Sequence, residues 1–354
     1  MTPGADHPAR SQAPGADQPY SAHLEQTLLG EAAHLTRDEV EQRSGVDVEV
    51  ARALWRALGF PDPDPEVPAY TEADVDALER VARLRATSGI DEVTAEGFAR
   101  VYGQALSHLA ETQVGILLDR LAQEPHLVDL AQRDLEAAVL AILDVWRAQL
   151  PDLEGILVYT WRRHLLAAAQ RALSGLATEM PEDAIAVGFA DVVGYTSLTR
   201  DMTAAELEEL VVAFERGAYD AIVTHGGRVV KTLGDEVMFV ASSPHAATEI
   251  GLLLADSFGL ERSIVPPVRV GIAWGPALAR GGDVLGPVVN VASRCCALAR
   301  PGTLLVDREM AKALKDDDAF SVRPMRPRAV RGYGHLLASS VRWARGHDGI
   351  VSEA

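Results

Sequence analysis

Apolar positions along this 354-residue chain follow two different rules. From His23 to about Gly175 they recur every three or four residues, the period of a helix with one buried face. From Asp183 onward they come in short, nearly continuous blocks separated by helical stretches, the mark of buried strands alternating with helices. In the first region VDVEVARALWRALGF places Val50, Leu54 and Leu58 on one face. YTEADVDALERVARL does the same with Val75, Leu78 and either Val81 or Leu84. Thr36 with Glu39, and Thr71 with Asp74, have the spacing of boxes that satisfy free N–H groups at helix starts. PDPDPEVPAY separates the two helical segments. Longer helices are predicted over 98–121 and 135–150, with Pro151 ending the second, and another over 155–175.

In the second region IAVGFADVVGY reads as a buried strand ending at Asp191. Thr203 and Glu206 open a helix that stops at Gly226-Gly227. VVKTLGDEVMFVA then reads as two strands joined by a tight turn. A helix over 244–258, a strand over 268–275, the connection ARGGDVLGP, a helix over 288–299 and a strand over 303–307 follow. The expectation is an α+β arrangement, helices on a mostly antiparallel sheet, behind an all-α domain. The predicted boundaries are a tail at 1–22, a helical regulatory or dimerising domain at 23–175, a linker at 176–182, a catalytic domain at 183–345 and a tail at 346–354.

Charge narrows the function. A net charge of −18 repels nucleic acid and anionic membrane surfaces. The helices around Ser44-Gly45 resemble a helix-turn-helix, but acidic residues outnumber basic ones across the pair, and no DNA-binding footprint results. An anionic substrate would need cations held by carboxylates. No apolar run reaches the ~20 residues of a membrane span, and the first 20 residues lack the apolar core of a secretory signal. Cys295 and Cys296 are the only cysteines, and neighbours seldom bridge each other. A cytoplasmic, disulfide-free chain is expected.

Asp191 at a strand end and Asp235 in the hairpin turn can lie side by side in an antiparallel sheet, where two carboxylates suit Mg²⁺ or Mn²⁺. Singly, Asp191 reads equally as a turn cap and Asp235 as an ordinary turn residue. Glu236 is the weaker ligand, because strand alternation points it away from Asp235. The turn Val193-Gly194-Tyr195-Thr196 offers backbone N–H groups to phosphate. Asn290 and Arg294 share a helix face and could stabilise charge on a phosphoryl group, or form a solvated face. No P-loop pattern is present.

FADVVGYTSLT, VVKTLGDEVMFVA, VRVGIAWGP and DVLGPVVNVASR, in that order, resemble the class III nucleotidyl cyclase catalytic domain. The resemblance covers roughly residues 183–338 and implies a ferredoxin-like fold. It implies that Asp191 and Asp235, with Val192 beside them, bind two Mg²⁺ or Mn²⁺ ions. It gives Lys231 and Asp283 the reading of adenine, Asn290 the orientation of the ribose and Arg294 the stabilisation of the transition state. Arg331, with Arg328 as competitor, corresponds to a basic residue that touches the triphosphate. It implies a homodimer in which one subunit supplies the metal carboxylates and the other the remaining groups. The hairpin would then be buried at the subunit interface.

Adenine has an acceptor at N1 and a donor at N6, which match Lys231 and Asp283; guanine reverses both. ATP is the expected substrate. The alternatives are a guanylate or diguanylate cyclase, although the turn Leu233-Gly234-Asp235 lacks the doubled glycine of the latter, and a catalytically silent nucleotide sensor. The helical segment, on LTRDEVEQRSGVDVEVARALWRALGF and YTEADVDAL, resembles the regulatory domain of actinobacterial soluble cyclases. That implies a dimerising module responsive to pH, to a small molecule or to a lipid. His108 and His164 are its candidate titrating groups, with plain surface or core positions as the alternative.

Overall fold

The computed structural model describes residues 21–176, 184–200, 202–260, 263–330 and 334–346. It divides into two units, Met1–Ala172 and Leu173–Ala354. Most of both predicted tails, most of the linker and Arg331 lie outside the described residues, and the first helix begins at Ser21, inside the predicted tail.

The first unit contains α1 (Ser21–Leu28), α2 (Arg37–Ser44), α3 (Val48–Ala57), α4 (Glu72–Ser88), α5 (Glu92–Ala122) and α6 (Pro125–Arg133), and most of α7 (Leu135–Leu176). The helix starts are secured as their sequences require. The Thr36 N–H donates to the Glu39 carboxylate at 2.8 Å and the Thr71 N–H to Asp74 at 2.7 Å. The proline-rich break returns to the start of α2 through a bridge between Leu35 and Tyr70. Leu35, Val40, Tyr70, Val75 and Leu78 form one small core, and Leu54, Ala95 and Ala99 another. Val81 packs against the second core, whereas Leu84 is exposed. Basic residues of α2 and α3 are neutralised locally, Arg37 and Arg52 by Asp62 and Arg43 by Glu72.

Pro151 does not end a helix, as expected; it lies inside the 42-residue α7. A proline removes one backbone hydrogen bond and crowds a carbonyl, at about 3 kcal/mol. Breaking the helix would instead expose up to four unpaired N–H and four C=O groups, and the flanking Leu-, Ala- and Arg-rich segments favour helix on both sides. Among the described residues no helix is long and apolar enough to cross a membrane.

The second unit runs β1 (Ala184–Val192), α8 (Tyr195–Leu198), α9 (Ala204–Thr224), β2 (Arg228–Leu233), β3 (Glu236–Ala241), α10 (Pro244–Ser257), β4 (Val268–Pro276), β5 (Leu278–Arg280), β6 (Asp283–Leu285), α11 (Pro287–Leu298), β7 (Thr303–Asp307), α12 (Arg308–Ala313), β8 (Phe320–Pro324), β9 (Arg328–Val330), β10 (Gly334–Leu336) and β11 (Ala338–Trp343). Seven strands form one sheet in the order β2-β3-β1-β4-β7-β11-β8, in which only β4 and β7 pair in parallel. Strand alternation sends Ala186, Ala190, Val237, Phe239 and Ile272 to the side covered by Phe214, Ile222, Ile250 and Leu254 of α9 and α10. Val187, Phe189, Met238 and Ala273 go to the opposite side, against Val288, Val291, Ala292, Cys295 and Cys296 of α11. Each fully buried Leu, Ile or Phe contributes roughly 1.5–3 kcal/mol. Both cysteines are free and buried; burial pushes the Cys295 thiol up to about 12 and raises that of Cys296.

Candidate active site

The hairpin turn docks on the end of β1. The Val192 N–H donates to the Asp235 carbonyl at 3.0 Å, which brings the carboxyls of Asp191 and Asp235 within hydrogen-bonding reach of each other. Asp235 is half-buried. Burial pushes its carboxyl above the ordinary range and the Asp191 charge adds to the shift, partly offset by its own backbone N–H. Two more residues adjoin this group, one ranked as the weaker ligand from sequence and one not singled out there. Glu236, set aside as pointing away, is the cross-strand partner of Asp191. Asp235 belongs to the turn, so alternation begins at Glu236, and directly opposed residues share a face. Burial raises the Glu236 carboxyl, followed by the charges of Asp191 and Asp235. On the other flank, Arg269 of β4 pairs with Asp191 across the sheet. Its Nε donates to Asp191 Oδ2 at 2.6 Å, and its Nη2 contacts the same oxygen. An arginine on the otherwise apolar strand VRVGIAWG was the available signal for it.

Lys231 and Asp283 form a second group. Lys231 Nζ donates to Asp283 Oδ2 at 2.6 Å. A β-bulge between Val229 and Lys231 places Val230 and Lys231 successively on the α11 side of the sheet, while Val229 packs on the other side. The Lys231 hydrogen bond holds the Asp283 carboxyl below its ordinary range, helped by the Val284 N–H. The two side chains are each 39% exposed, open to a ligand. β2 is the edge strand of the sheet. The burial of β3 comes from its own protomer, whereas β2 is only half-buried.

Asn290 and Arg294 lie on the exposed face of α11, opposite Val288, Val291, Ala292 and Cys295. Among the described residues their side chains make no hydrogen bond or ion pair. α11 is seated directly on β4, where an added Cβ at Gly271 would lie 1.9 Å from the Cys296 nitrogen. In the turn after β1, Gly194 takes a positive φ of 78° and starts the single turn of α8. The Val193 N–H is already donated to the Pro267 carbonyl at 3.0 Å. The N–H groups of Gly194, Tyr195 and Thr196 have no acceptor among the described residues and remain open to an anion. Arg328 opens β9 and is exposed.

The structure thus brings Asp191 to Asp235 and Lys231 to Asp283. Among the described residues no hydrogen bond or ion pair joins the first pair to the second, or either pair to the side chains of Asn290 and Arg294.

Comparison with known proteins gives the parts a common context. Residues 178–339 match the family described as "Adenylate and Guanylate cyclase catalytic domain", and residues 18–143 match "Adenylate cyclase regulatory domain". An adenylate cyclase of Streptomyces coelicolor is 38% identical over 92% of this chain and 91% of its own. An adenylate cyclase of Glutamicibacter nicotianae is 36% identical over 91% of this chain and 82% of its own. The pH-sensitive adenylate cyclase MT1302 of Mycobacterium tuberculosis is 29% identical over 86% of this chain and 77% of its own. At 38% identity over nearly the whole of both chains, and with both domains matched, the chain belongs to the class III nucleotidyl cyclases and carries an N-terminal adenylate cyclase regulatory domain.

Proposed function

We propose that the chain converts ATP to 3′,5′-cyclic AMP and pyrophosphate at sites shared between two copies of its C-terminal unit. The observation that carries this reading is the Lys231–Asp283 pair, a donor beside an acceptor at 2.6 Å. Lys231 donates to adenine N1 and Asp283 accepts from N6, the polarity that guanine inverts. The names of the relatives agree with ATP as substrate.

The residues around Asp191 and Asp235 fit Mg²⁺ or Mn²⁺. Among the described residues no three His, Cys, Asp or Glu side chains form a metal cluster. Ions of this kind are commonly held by one or two carboxylates together with substrate phosphates, and two half-buried carboxylates beside a strand end supply that donor set. Val192 adds backbone at the same place. Bound there, two such ions would make the ribose 3′-hydroxyl more acidic and offset charge on the departing pyrophosphate.

In the reaction the 3′-oxygen bonds to the α-phosphorus, the bond from that phosphorus to the bridging oxygen of the β-phosphate breaks, and the hydroxyl proton is lost. Asn290 orients the ribose, and Arg294 meets the charge that develops on the α-phosphate. The free amides of Gly194, Tyr195 and Thr196 receive phosphate oxygens, with Arg331 as a further phosphate contact. That no hydrogen bond or ion pair joins these groups among the described residues agrees with a shared site completed by a second copy. Such a substrate implies work in the cytoplasm.

The N-terminal unit modulates this activity. The regulatory-domain match and the name of the pH-sensitive relative support pH as the signal. His108 and His164 are both exposed on their helices. Deletion of residues 1–175 should alter specific activity or its pH profile; no change in either removes the regulatory role.

The direct test incubates purified protein with ATP or GTP and Mn²⁺ and measures cyclic AMP, cyclic GMP and cyclic di-GMP. Cyclic AMP from ATP, abolished by Asp191→Ala, is expected. Activity that survives this substitution contradicts the metal assignment, and cyclic GMP as the main product contradicts the base assignment.

A further inference from the structure

We infer that a cavity beside the C-terminal end of α10 binds a small primary amine through its ammonium group. The cavity, about 290 Å³, lies among α10, the start of β7 and the end of β11, and shares no residue with the proposed active site. By volume it has room for roughly ten water molecules. Leu252, Leu304 and Val341 supply apolar wall from the core, and Trp343 supplies an aromatic one. Asp256, exposed at its mouth, is the carboxylate of the wall. The polar groups here are short of donors. Trp343 Nε1 donates to Asp256 Oδ2 at 3.1 Å, and Asp256 Oδ1 has no donor among the described residues. The N–H groups of Gly302 and Thr303 are spent on the carbonyls of Val268 and Arg300, and the Thr303 hydroxyl also donates to Arg300, at 2.8 Å. The N–H of Gly259, placed to close the last turn of α10 on the Ala255 carbonyl, is donated instead to Val265 at 3.1 Å. The Ala255 carbonyl faces Gly302, 3.8 Å from where a Cβ there would stand, and has no donor among the described residues. Arg342 lines the cavity by its backbone. Val341 and Trp343 pack into the core on the α10 side, and alternation sends the Arg342 side chain to the opposite face. A carboxylate oxygen, a carbonyl and a hydroxyl lone pair therefore stay open, and all three are acceptors.

Acceptors without donors select a ligand that brings its own. The last turn of α10 holds no basic residue, so the negative end of the helix dipole lies beside the Asp256 charge uncompensated from within the helix. A cation with N–H groups meets both demands, and a primary ammonium has three such groups to divide among the open acceptors. The Trp343 ring and the apolar wall suit its hydrocarbon stem. A hard metal ion fits less well, since it takes about six or more oxygens where this wall offers few.

The test follows the indole N–H resonances of the full chain by NMR, with its five tryptophans isotope-labelled and Trp343 assigned by the resonance lost in Trp343→Phe. n-Butylammonium chloride is titrated at neutral pH and constant ionic strength, with tetramethylammonium chloride, potassium chloride and n-butanol as comparisons. Butylammonium is expected to shift the Trp343 resonance saturably and to leave the others in place. Asp256→Asn should weaken this binding about tenfold or more, because hydrogen bonds between ionised partners are the strong ones. Tetramethylammonium, which has charge but no N–H, and butanol, which has a donor but no charge, should each bind about tenfold more weakly or worse in wild type. Wild-type affinity in Asp256→Asn, or no saturable Trp343 shift with butylammonium, overturns the inference. Tetramethylammonium or potassium acting as strongly as butylammonium also overturns it, since the site would then read charge alone; these comparisons need no variant to fold.

Discussion

Lys231 and Asp283, fifty-two positions apart, are joined by a 2.6 Å hydrogen bond, and a bulge in β2 aims the lysine at its partner. If the pair reads adenine, reversing its polarity should reverse substrate preference. Lys231→Glu with Asp283→Cys is expected to shift the ratio of kcat/KM for ATP over GTP by about 10² or more toward GTP, since unmatched buried polar groups are strongly penalised. Initial rates of cyclic AMP and cyclic GMP formation measure it. An unchanged ratio places base recognition elsewhere.

The same pair bears on pH. Its hydrogen bond to Lys231 holds Asp283 below the usual carboxylate range, near 3.9 when unperturbed, roughly. A depressed value keeps the carboxylate charged above that point and loses the charge only as pH falls through the folded value. From about pH 5 to 8 the pair should stay intact, and the KM ratio of Asp283→Asn to wild type for ATP should be flat across this window. Convergence of the two KM values toward pH 5 would show that Asp283 is already taking up a proton.

Gly271 lets α11 lie on the sheet. A Cβ there meets backbone, 1.9 Å from the Cys296 nitrogen and 2.6 Å from the Ala292 carbonyl oxygen, so the helix itself must move. Gly271→Ala is expected to cost about 1–3 kcal/mol in stability and, by displacing Asn290 and Arg294, about 10² in kcat. Gly226→Ala is the control: its φ of 78° strains alanine, yet nothing lies within 4 Å. Chemical denaturation and saturating rates should separate the two. Wild-type turnover in Gly271→Ala contradicts the placement of α11.

Pro151 inside α7 predicts a stabilising change. Pro151→Ala restores a backbone hydrogen bond and removes a clash, for a gain of up to about 3 kcal/mol in the helical unit. The transition of the helical unit, assigned with the fragment 1–175, should rise in calorimetry. A fall would show that the proline is needed where it stands.

Much of this was legible before any coordinates. The boxes at Thr36, Thr71 and Thr203 and the strand ending at Asp191 depend on near neighbours, which a linear pattern records. Motif order did the same for Lys231 and Asp283. What stayed hidden depends on long-range register. That Arg269 faces Asp191 follows only once β4 is laid beside β1, seventy-eight positions away. That Glu236 opposes Asp191 likewise follows only from the pairing of β3 with β1. Strands β5, β6 and β8 to β11 were not foreseen, since their segments are short or hold few consecutive apolar residues. The continuity of α7 through Pro151 required weighing one local penalty against two new helix ends.

The central claim, that two chains jointly build each site, is tested most directly by mixing defects. Asp191→Ala and Arg294→Ala are prepared separately, each inactive as cyclase, and then combined at equal concentration under conditions of subunit exchange. Half the dimers would then carry both defects on one site and none on the other, so cyclic AMP formation should return to about a quarter of the wild-type rate. A mixture that forms heterodimers, verified by native mass spectrometry, yet stays inactive would contradict the shared site.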